Sequence, residues 1–418
     1  GRLSRKELPS SYDCTKPAVI SYTSGTTGLA KGVVHSQESI LTDLRQVIQF
    51  VYLDETDIFL SVLPVHHMYE GTCGFLLPLS MGAQIAIAHG LRYVADDLAT
   101  TCATVVLAVP LLWETMYRRI METIRNAPLG STKLGFGMAV SAAGEKLGFR
   151  GMRKKLFGKV HQKFGGCLRL LISGGAGIDP QVVDGFEKLG FKILQGYGLT
   201  ETAPIISVNR EKANRYGSVG PVLAEMDCRI DTPDRYGIGE ILVRGPNVML
   251  GYYGNPQATA EVLDDDGWFK TGDYGYLDEE GFLFITGRKK NVIIAKNGKN
   301  VYPEEIETRL NRFRHIKECV VFSRESETKG EEICVLVVPD RDLLIEEADS
   351  QHRKITRDDE IEAIRRAVKK YNSTAETHKR LAAFIVSEDE LPKTTTRKIK
   401  RKAALKEAGI SPGEVFRP

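Results

Sequence analysis

Between Thr23 and Gly32 the chain reads Thr-Ser-Gly-Thr-Thr-Gly-Leu-Ala-Lys-Gly, with hydroxyl-bearing pairs set between glycines and a lysine close behind. Glycines let successive backbone N–H groups turn inward and form a nest for phosphate oxygens. The Ser and Thr hydroxyls add donors, and Lys31 adds a mobile positive charge. A Walker-type loop carries Ser or Thr directly after its lysine, whereas Gly32 stands there in this chain. The loop therefore reads as a polyphosphate grip of another class, with a flexible surface hairpin as the plain alternative.

Three further segments could do chemistry. In Gln195-Gly-Tyr-Gly-Leu-Thr-Glu201, Tyr197 is suited to stack on a flat purine, and Thr200 and Glu201 to face phosphates. A carboxylate at Glu201 suits a hard cation such as Mg²⁺, which takes oxygen ligands together with substrate phosphates. In Trp268-Phe-Lys-Thr-Gly-Asp273 the aspartate, expected at a strand end, could accept both hydroxyls of a ribose. Leu391-Pro-Lys-Thr-Thr-Thr-Arg-Lys398-Ile-Lys is basic and a poor helix former, and Lys398 could neutralise charge developing on a phosphoryl group. Read alone, each has a plain alternative: a tight turn with a solvated glutamate, a β-turn aspartate and a solvated basic tail.

The elements that must hold these segments are legible from the pattern. At 418 residues, with 42% hydrophobic and 27% charged residues, the chain is expected to hold two or three domains with a sizeable core. A net charge of +3 gives no global argument for nucleic acid. The cysteines, at Cys14, Cys73, Cys102, Cys167, Cys228, Cys319 and Cys334, show neither CxxC nor metal-ligand spacing, which fits free thiols in a reducing, cytoplasmic compartment. The longest apolar region, about 74–88, is broken by Pro78 and Gly82 and is too short for a membrane span.

Residues 18–22 read as a strand entering the first loop, Val33-Val34 as the next strand and 36–53 as a helix. Ile58–Leu63, Gln84–Ala88, Thr104–Val109, Leu168–Ser173 and Lys192–Gln195 read as buried strands alternating with helices at 96–101, 111–126 and 180–189. Such alternation predicts an α/β fold with a mostly parallel, helix-covered sheet. From about 216 to 286 short strands with Gly, Pro and Asp turns predict a small barrel-like β region. After Gly287-Arg288 the order turn pair, helix 303–312, strands 318–324 and 332–338, helix 358–371 and strand 382–386 predicts a compact α+β unit. The acidic run near 345–350 reads as low complexity.

Taken together and in order, 22–33, Pro64-Val-His-His-Met-Tyr69, Gly196-Tyr-Gly-Leu-Thr-Glu201, Thr271-Gly-Asp273, Gly287-Arg288 and Pro392 to Lys398 closely resemble the core motifs of the adenylate-forming superfamily. That superfamily comprises acyl-CoA synthetases, luciferases and adenylation domains. Leu168–Pro180, Pro303-Glu-Glu-Ile-Glu and the Thr-Arg-Lys-Ile-Lys tail resemble its long-chain fatty acid–CoA ligase branch. The resemblance spans roughly residues 15 to 408. It implies an adenylating N-terminal domain over 1–287, a small mobile C-terminal domain over 288–418, and a hinge near Lys290. It also implies that well over a hundred residues precede the phosphate loop in relatives, so the N-terminal part of the fold is expected to be missing here.

The resemblance further implies activation of a fatty acid by ATP to acyl-AMP with release of pyrophosphate, and transfer of the acyl group to CoA, with Mg²⁺ required. Thr23, Ser24, Gly25, Thr26, Thr27 and Lys31 would hold the β- and γ-phosphates, Glu201 would bind Mg²⁺, Thr200 the α-phosphate and Tyr197 the adenine face. Gly175 and Ala176 would lie along the adenine and acyl pocket, Asp273 and Arg288 would hold the ribose, and His67 would gate the acyl carboxylate. Lys398 would bridge that carboxylate and the α-phosphate. After a rotation about Lys290, Gly298 would let the pantetheine arm pass. Many relatives carry Gly before the catalytic lysine, where Arg397 stands here.

Two other readings remain at this point: a fatty-acyl-AMP ligase loading a carrier protein, and an inactive nucleotide-binding fragment serving as a scaffold. Small residues in Gly135–Gly148 suggest room for a long acyl tail. The basic stretch Arg150–Lys163 is expected to be a solvated helix face, with contact to CoA phosphates or a peripheral membrane surface as the alternative. Acyl chain length and oligomeric state are not legible.

Overall fold

The computed structural model describes residues 13–23, 30–126, 152–295, 298–326, 330–350, 352–394, 398–408 and 415–418. The chain forms two compact units. The first comprises Gly1–Asp231, Ile241–Thr271 and Leu277–Phe284, and the second Thr232–Glu240, Gly272–Tyr276 and Ile285–Pro418.

In the first unit a six-stranded sheet runs in the spatial order Gln84–Ile87, Ile58–Ser61, Val105–Ala108, Leu170–Ser173, Lys192–Gly198, Ile205–Val208. The first five strands are parallel and the last is antiparallel. Val105–Ala108 and Leu170–Ser173 are buried at every position, so helices must cover both faces. Trp113 of the helix Pro110–Asn126 and Phe186 of the helix Pro180–Lys188 meet edge to face, their rings 6.3 Å apart, over Leu171 and Ile193. The second of these helices starts where it must. The Asp179 side chain caps the Gln181 N–H, and Pro180 occupies the first turn, where no N–H is needed.

A separate antiparallel sheet joins Pro17–Thr23, Lys31–Ser36 and Gly251–Tyr252. The 216–286 region forms a five-stranded sheet in the order Asp227–Asp231, Gly239–Arg244, Phe269–Leu277, Phe282–Arg288, Gly220–Pro221. The chain passes from one unit to the other within the three middle strands.

The second unit is built on an antiparallel hairpin, Ile316–Ser326 with Gly330–Pro339, to which Ala383–Val386 adds in parallel. One face packs Val335 and Phe384 against Ile306 and Ile364, carried by the helices Pro303–Leu310 and Arg357–Thr374. The other packs Phe322 and Leu336 against Leu391 and Ala404, the latter on the helix Arg401–Glu407. The helix Arg357–Thr374 begins at a capping box in which Thr356 and Asp359 exchange hydrogen bonds.

Three expectations need correction. The strand expected to stop at Gln195 continues to Gly198, because Ile205–Val208 pairs back on it and supplies the missing ladder. The acidic run near 345–350 belongs to the helix Arg341–Ser350, whose Leu344 and Ala348, one turn apart, are buried while acids face out. Asp273 lies inside the strand Phe269–Leu277 rather than at its end. No helix among the described residues is long and apolar enough to cross a membrane.

Candidate active site

In the first unit, backbone pairing brings the first loop's flanks together. Thr23 pairs with Lys31 across the antiparallel ladder, and its hydroxyl donates to the Lys31 carbonyl at 3.5 Å. Ser24, Gly25, Thr26 and Thr27 lie outside the described residues. Lys31 extends over the Tyr252 ring, its ammonium 4.5 Å from the centroid. The Tyr252 hydroxyl in turn donates to Glu201 Oε1 at 2.9 Å. Thus Lys31 and Glu201, 170 positions apart in the chain, reach one aromatic side chain.

Glu201 and Thr200 sit on a 3-10 turn, Thr200–Thr202, directly beyond the strand that carries Tyr197. Buried Thr202 locks this turn, its hydroxyl bonded to the Leu199 carbonyl and N–H and to the Pro204 carbonyl. Gly198 is required by close approach. A Cβ there would stand 1.7 Å from the Pro204 carbonyl oxygen.

A second tie was invisible in the sequence. His35, fully buried, places Nε2 2.6 Å from the Thr200 carbonyl and Nδ1 3.3 Å from Ser39 Oγ. A carbonyl only accepts, so Nε2 carries the proton. Burial lowers the His35 pKa and the Thr200 contact opposes that shift, leaving a neutral imidazole near pH 7. Asp43 is a further buried tie, accepting from the Ile205 N–H and from Asn247 Nδ2 at 3.1 Å each. Burial pushes its pKa well above the carboxylate range.

Gly175 and Ala176 follow the strand Leu170–Ser173 and are exposed, Gly175 with φ of 83°. Beneath them Tyr69 fills the space a Cβ on Gly174 would need, and both Tyr69 and Trp113 donate to the Ile172 carbonyl at 3.3 Å. Tyr69 opens a π-helical segment, Tyr69–Leu76, a form of backbone that often marks functional sites. The same segment buries Glu70, whose pKa burial raises to about 7 although the Ser61 hydroxyl donates to it. His67 stands just before it, partly exposed, its ring 4.5 Å from that of exposed His66.

In the second unit Asp273, Arg288, Lys290 and Lys398 form one electrostatic group. Arg288 Nε lies 2.7 Å from Asp273 Oδ1. Desolvation and then the Arg288 charge lower the pKa of Lys398, and Asp273 raises it. Lys398 is solvent-exposed, so water screens the neighbouring charges as well. The same causes act on Lys290, which lies in the 3-10 turn Lys289–Asn291.

The segment expected to be a solvated basic tail is pinned. Thr394 N–H donates to the Lys398 carbonyl at 2.8 Å, Lys398 N–H donates to Thr394 Oγ1 at 3.1 Å, and Lys393 pairs with Glu318 at 2.6 Å. Gly298, exposed with φ of 74°, ends the turn of the hairpin Ile293–Ile294 with Asn300–Val301. Residues 135–148, expected to leave acyl room, lie outside the described residues. In the basic stretch Lys154 and Lys155 face solvent, while Arg153 donates to the Glu187 carbonyl at 2.7 Å.

This arrangement can be set beside known proteins. Residues 4–253 match the family described as AMP-binding enzyme, and residues 290–408 match its C-terminal domain. The chain belongs to the AMP-binding enzyme family.

Among its relatives are two proteins of Arabidopsis thaliana. One is a chloroplastic long-chain-fatty-acid–acyl-carrier-protein ligase, 29% identical over 79% of this chain and 52% of its own. The other is the peroxisomal long chain acyl-CoA synthetase 6, 32% identical over 73% of this chain and 45% of its own. ATP-bound MatB from Rhodopseudomonas palustris superposes with a TM-score of 0.70 at 25% identity, covering 94% of this chain and 68% of that structure. The chain spans about half the length of the curated relatives it matches.

Proposed function

We propose that the chain is the adenylating part of an AMP-forming acid–thiol ligase acting on a fatty acid. A carboxylate oxygen of the acid attacks the α-phosphorus of ATP, and the α–β bridging bond breaks to expel pyrophosphate. The CoA thiol then attacks the acyl carbonyl, loses its proton and expels AMP. A carboxylate is a poor electrophile, and AMP as leaving group divides one difficult step into two easier ones.

The observation that carries this reading is the grouping of Asp273, Arg288 and Lys398 in one unit, a carboxylate–arginine pair for ribose hydroxyls beside a lysine for the acyl carboxylate and the α-phosphate. In this reading Lys31, with Thr23, Ser24, Gly25, Thr26 and Thr27, holds the β- and γ-phosphates. Thr200 meets the α-phosphate, Tyr197 the adenine, Gly175 and Ala176 the adenine and acyl pocket, and His67 the acyl carboxylate. Glu201 fits Mg²⁺, a cation bound through one or two carboxylates plus substrate phosphates, which would offset phosphate charge when bound. Lys290 is the hinge, and the exposed, left-handed Gly298 borders the path of the thiol substrate.

ATP–pyrophosphate exchange across fatty acids of increasing length tests the reading. Acid-dependent exchange with an optimum chain length is expected, and no exchange with any acid would overturn it. The resemblance to an acyl-carrier-protein ligase favours a second acceptor. Release of AMP driven by CoA, with no carrier protein present, decides between the two.

A further inference from the structure

We infer that Tyr252 is a positioning residue that keeps Lys31 and Glu201 apart and each aimed outward for a metal–polyphosphate ligand. This rests on the proposed role of Glu201 as the carboxylate that meets Mg²⁺. A lysine and a glutamate brought close in a partly buried site would ordinarily pair with each other. Such a pair would have to be broken before the lysine could meet a phosphate or the carboxylate a cation.

Here both side chains instead engage the tyrosine. Its ring face takes the ammonium at 4.5 Å, and its hydroxyl donates to Glu201 Oε1 at 2.9 Å. With Oε1 occupied, the carboxylate rotation is fixed and Oε2 is the oxygen presented to a cation. Outer-sphere partners of this kind orient a ligand and commonly govern metal affinity.

The tyrosine can do this because its own backbone is fixed from several sides. Gly251-Tyr252 pairs with Val34 and Val33 of the strand that carries Lys31, and the Tyr253 N–H donates to the Gly32 carbonyl at 2.7 Å. The Tyr252 N–H donates to Thr259 Oγ1 at 2.9 Å. Three residues earlier the segment reaches the other partner, the Met249 N–H donating to the Glu201 carbonyl at 2.9 Å. Residues 249–253 thus brace the lysine strand and the glutamate turn together. Tyr252 as a whole is 9% exposed, so its position is set by packing rather than by solvent.

The test is a titration of the full chain with Mn²⁺, read by electron paramagnetic resonance, in the presence of the unreactive analogue α,β-methylene-ATP. Tyr252→Phe keeps the ring under Lys31 and removes only the hydroxyl. It should weaken Mn²⁺ binding about tenfold while leaving metal-free nucleotide binding unchanged. Tyr252→Leu removes both contacts and should weaken metal-free nucleotide binding as well. It also serves as the second variant if the phenylalanine chain does not fold. Glu201→Gln is the control. Unchanged Mn²⁺ affinity in the Tyr252 variants beside a weakened Glu201→Gln overturns the inference and leaves the metal reading standing. Unchanged affinity in all of them overturns both.

Discussion

Two lysines, one in each unit, are held in place by opposite means. Lys31 is fixed by long-range order: its strand is paired on both sides, and its ammonium rests on an aromatic ring supplied from more than 200 residues away. Lys398 is fixed locally, by two hydrogen bonds with Thr394 and by the neighbouring Lys393–Glu318 pair, and its ammonium feels an arginine and an aspartate. A cation seated on a ring is suited to a standing contact. A cation on an exposed turn, balanced between charges of both signs, is suited to one made and released. In the proposed reading, the difference suits Lys31 to binding and Lys398 to a single chemical step.

The sharpest way to break this contrast is Lys398→Ala. Adenylation should fall by about 10²–10³, while thioester formation from preformed acyl-AMP is retained. Equal loss of both half-reactions, measured by pyrophosphate exchange and by CoA-dependent AMP release, would erase the distinction. Lys31→Met should be milder in kcat and act chiefly on the KM for ATP, by about tenfold, in line with a contact made equally in ground and transition states.

Asp273→Asn should move a pH limb. Asp273 raises the Lys398 pKa, so its loss lowers that pKa further. The basic limb of the adenylation rate should then shift to lower pH in the variant, and a limb at its original position would detach Lys398 from the Asp273–Arg288 group.

The smallest effect concerns a pair of buried glutamates, Glu70 in the first unit and Glu307 in the second, each raised to about 7 chiefly by burial. A carboxyl whose folded pKa lies above its unfolded value of 4.5 stabilises the fold below that value, and the contribution is lost as pH rises through about 7. Glu70 has no cation among the causes acting on it, so Glu70→Gln should stabilise the chain above pH 7 by about 1–3 kcal/mol in denaturant melts. Glu307 carries a salt bridge to Arg401, and Glu307→Gln should destabilise the chain instead. Melts that move in the same direction would show that Arg401 does not set the two residues apart.

Where a site depended on local pattern, the sequence was enough to locate its elements. The strand from Lys192, the helix over 180–189 and the hairpin-plus-helices order of 303–386 follow from periodicity. The N-cap aspartate and the Pro at N1 state where a helix starts without reference to anything distant. His35, Asp43 and Tyr252 were not legible. A histidine in an apolar strand, an aspartate on an amphipathic helix and the first of two tyrosines after a glycine carry no local signal. Their partners lie 165, 162 and 51 positions away, and only the folded chain brings them together. The end of the strand at Gly198 was missed for a related reason, since the ladder that extends it comes from the segment that follows.

Gly198 has a consequence for anyone who would re-tailor the neighbouring turn. With a carbonyl oxygen 1.7 Å from where a Cβ would go, the position tolerates hydrogen and nothing larger, while the same construction at Gly196 finds its nearest atom at 3.4 Å. A saturation library across 196–198, sorted for folded chain, should therefore return many side chains at Tyr197, a few small ones at Gly196 and glycine alone at 198. That single hydrogen sets how closely the Glu201 turn can fold back against its own strand, and so how much of the loop a designer is free to rewrite.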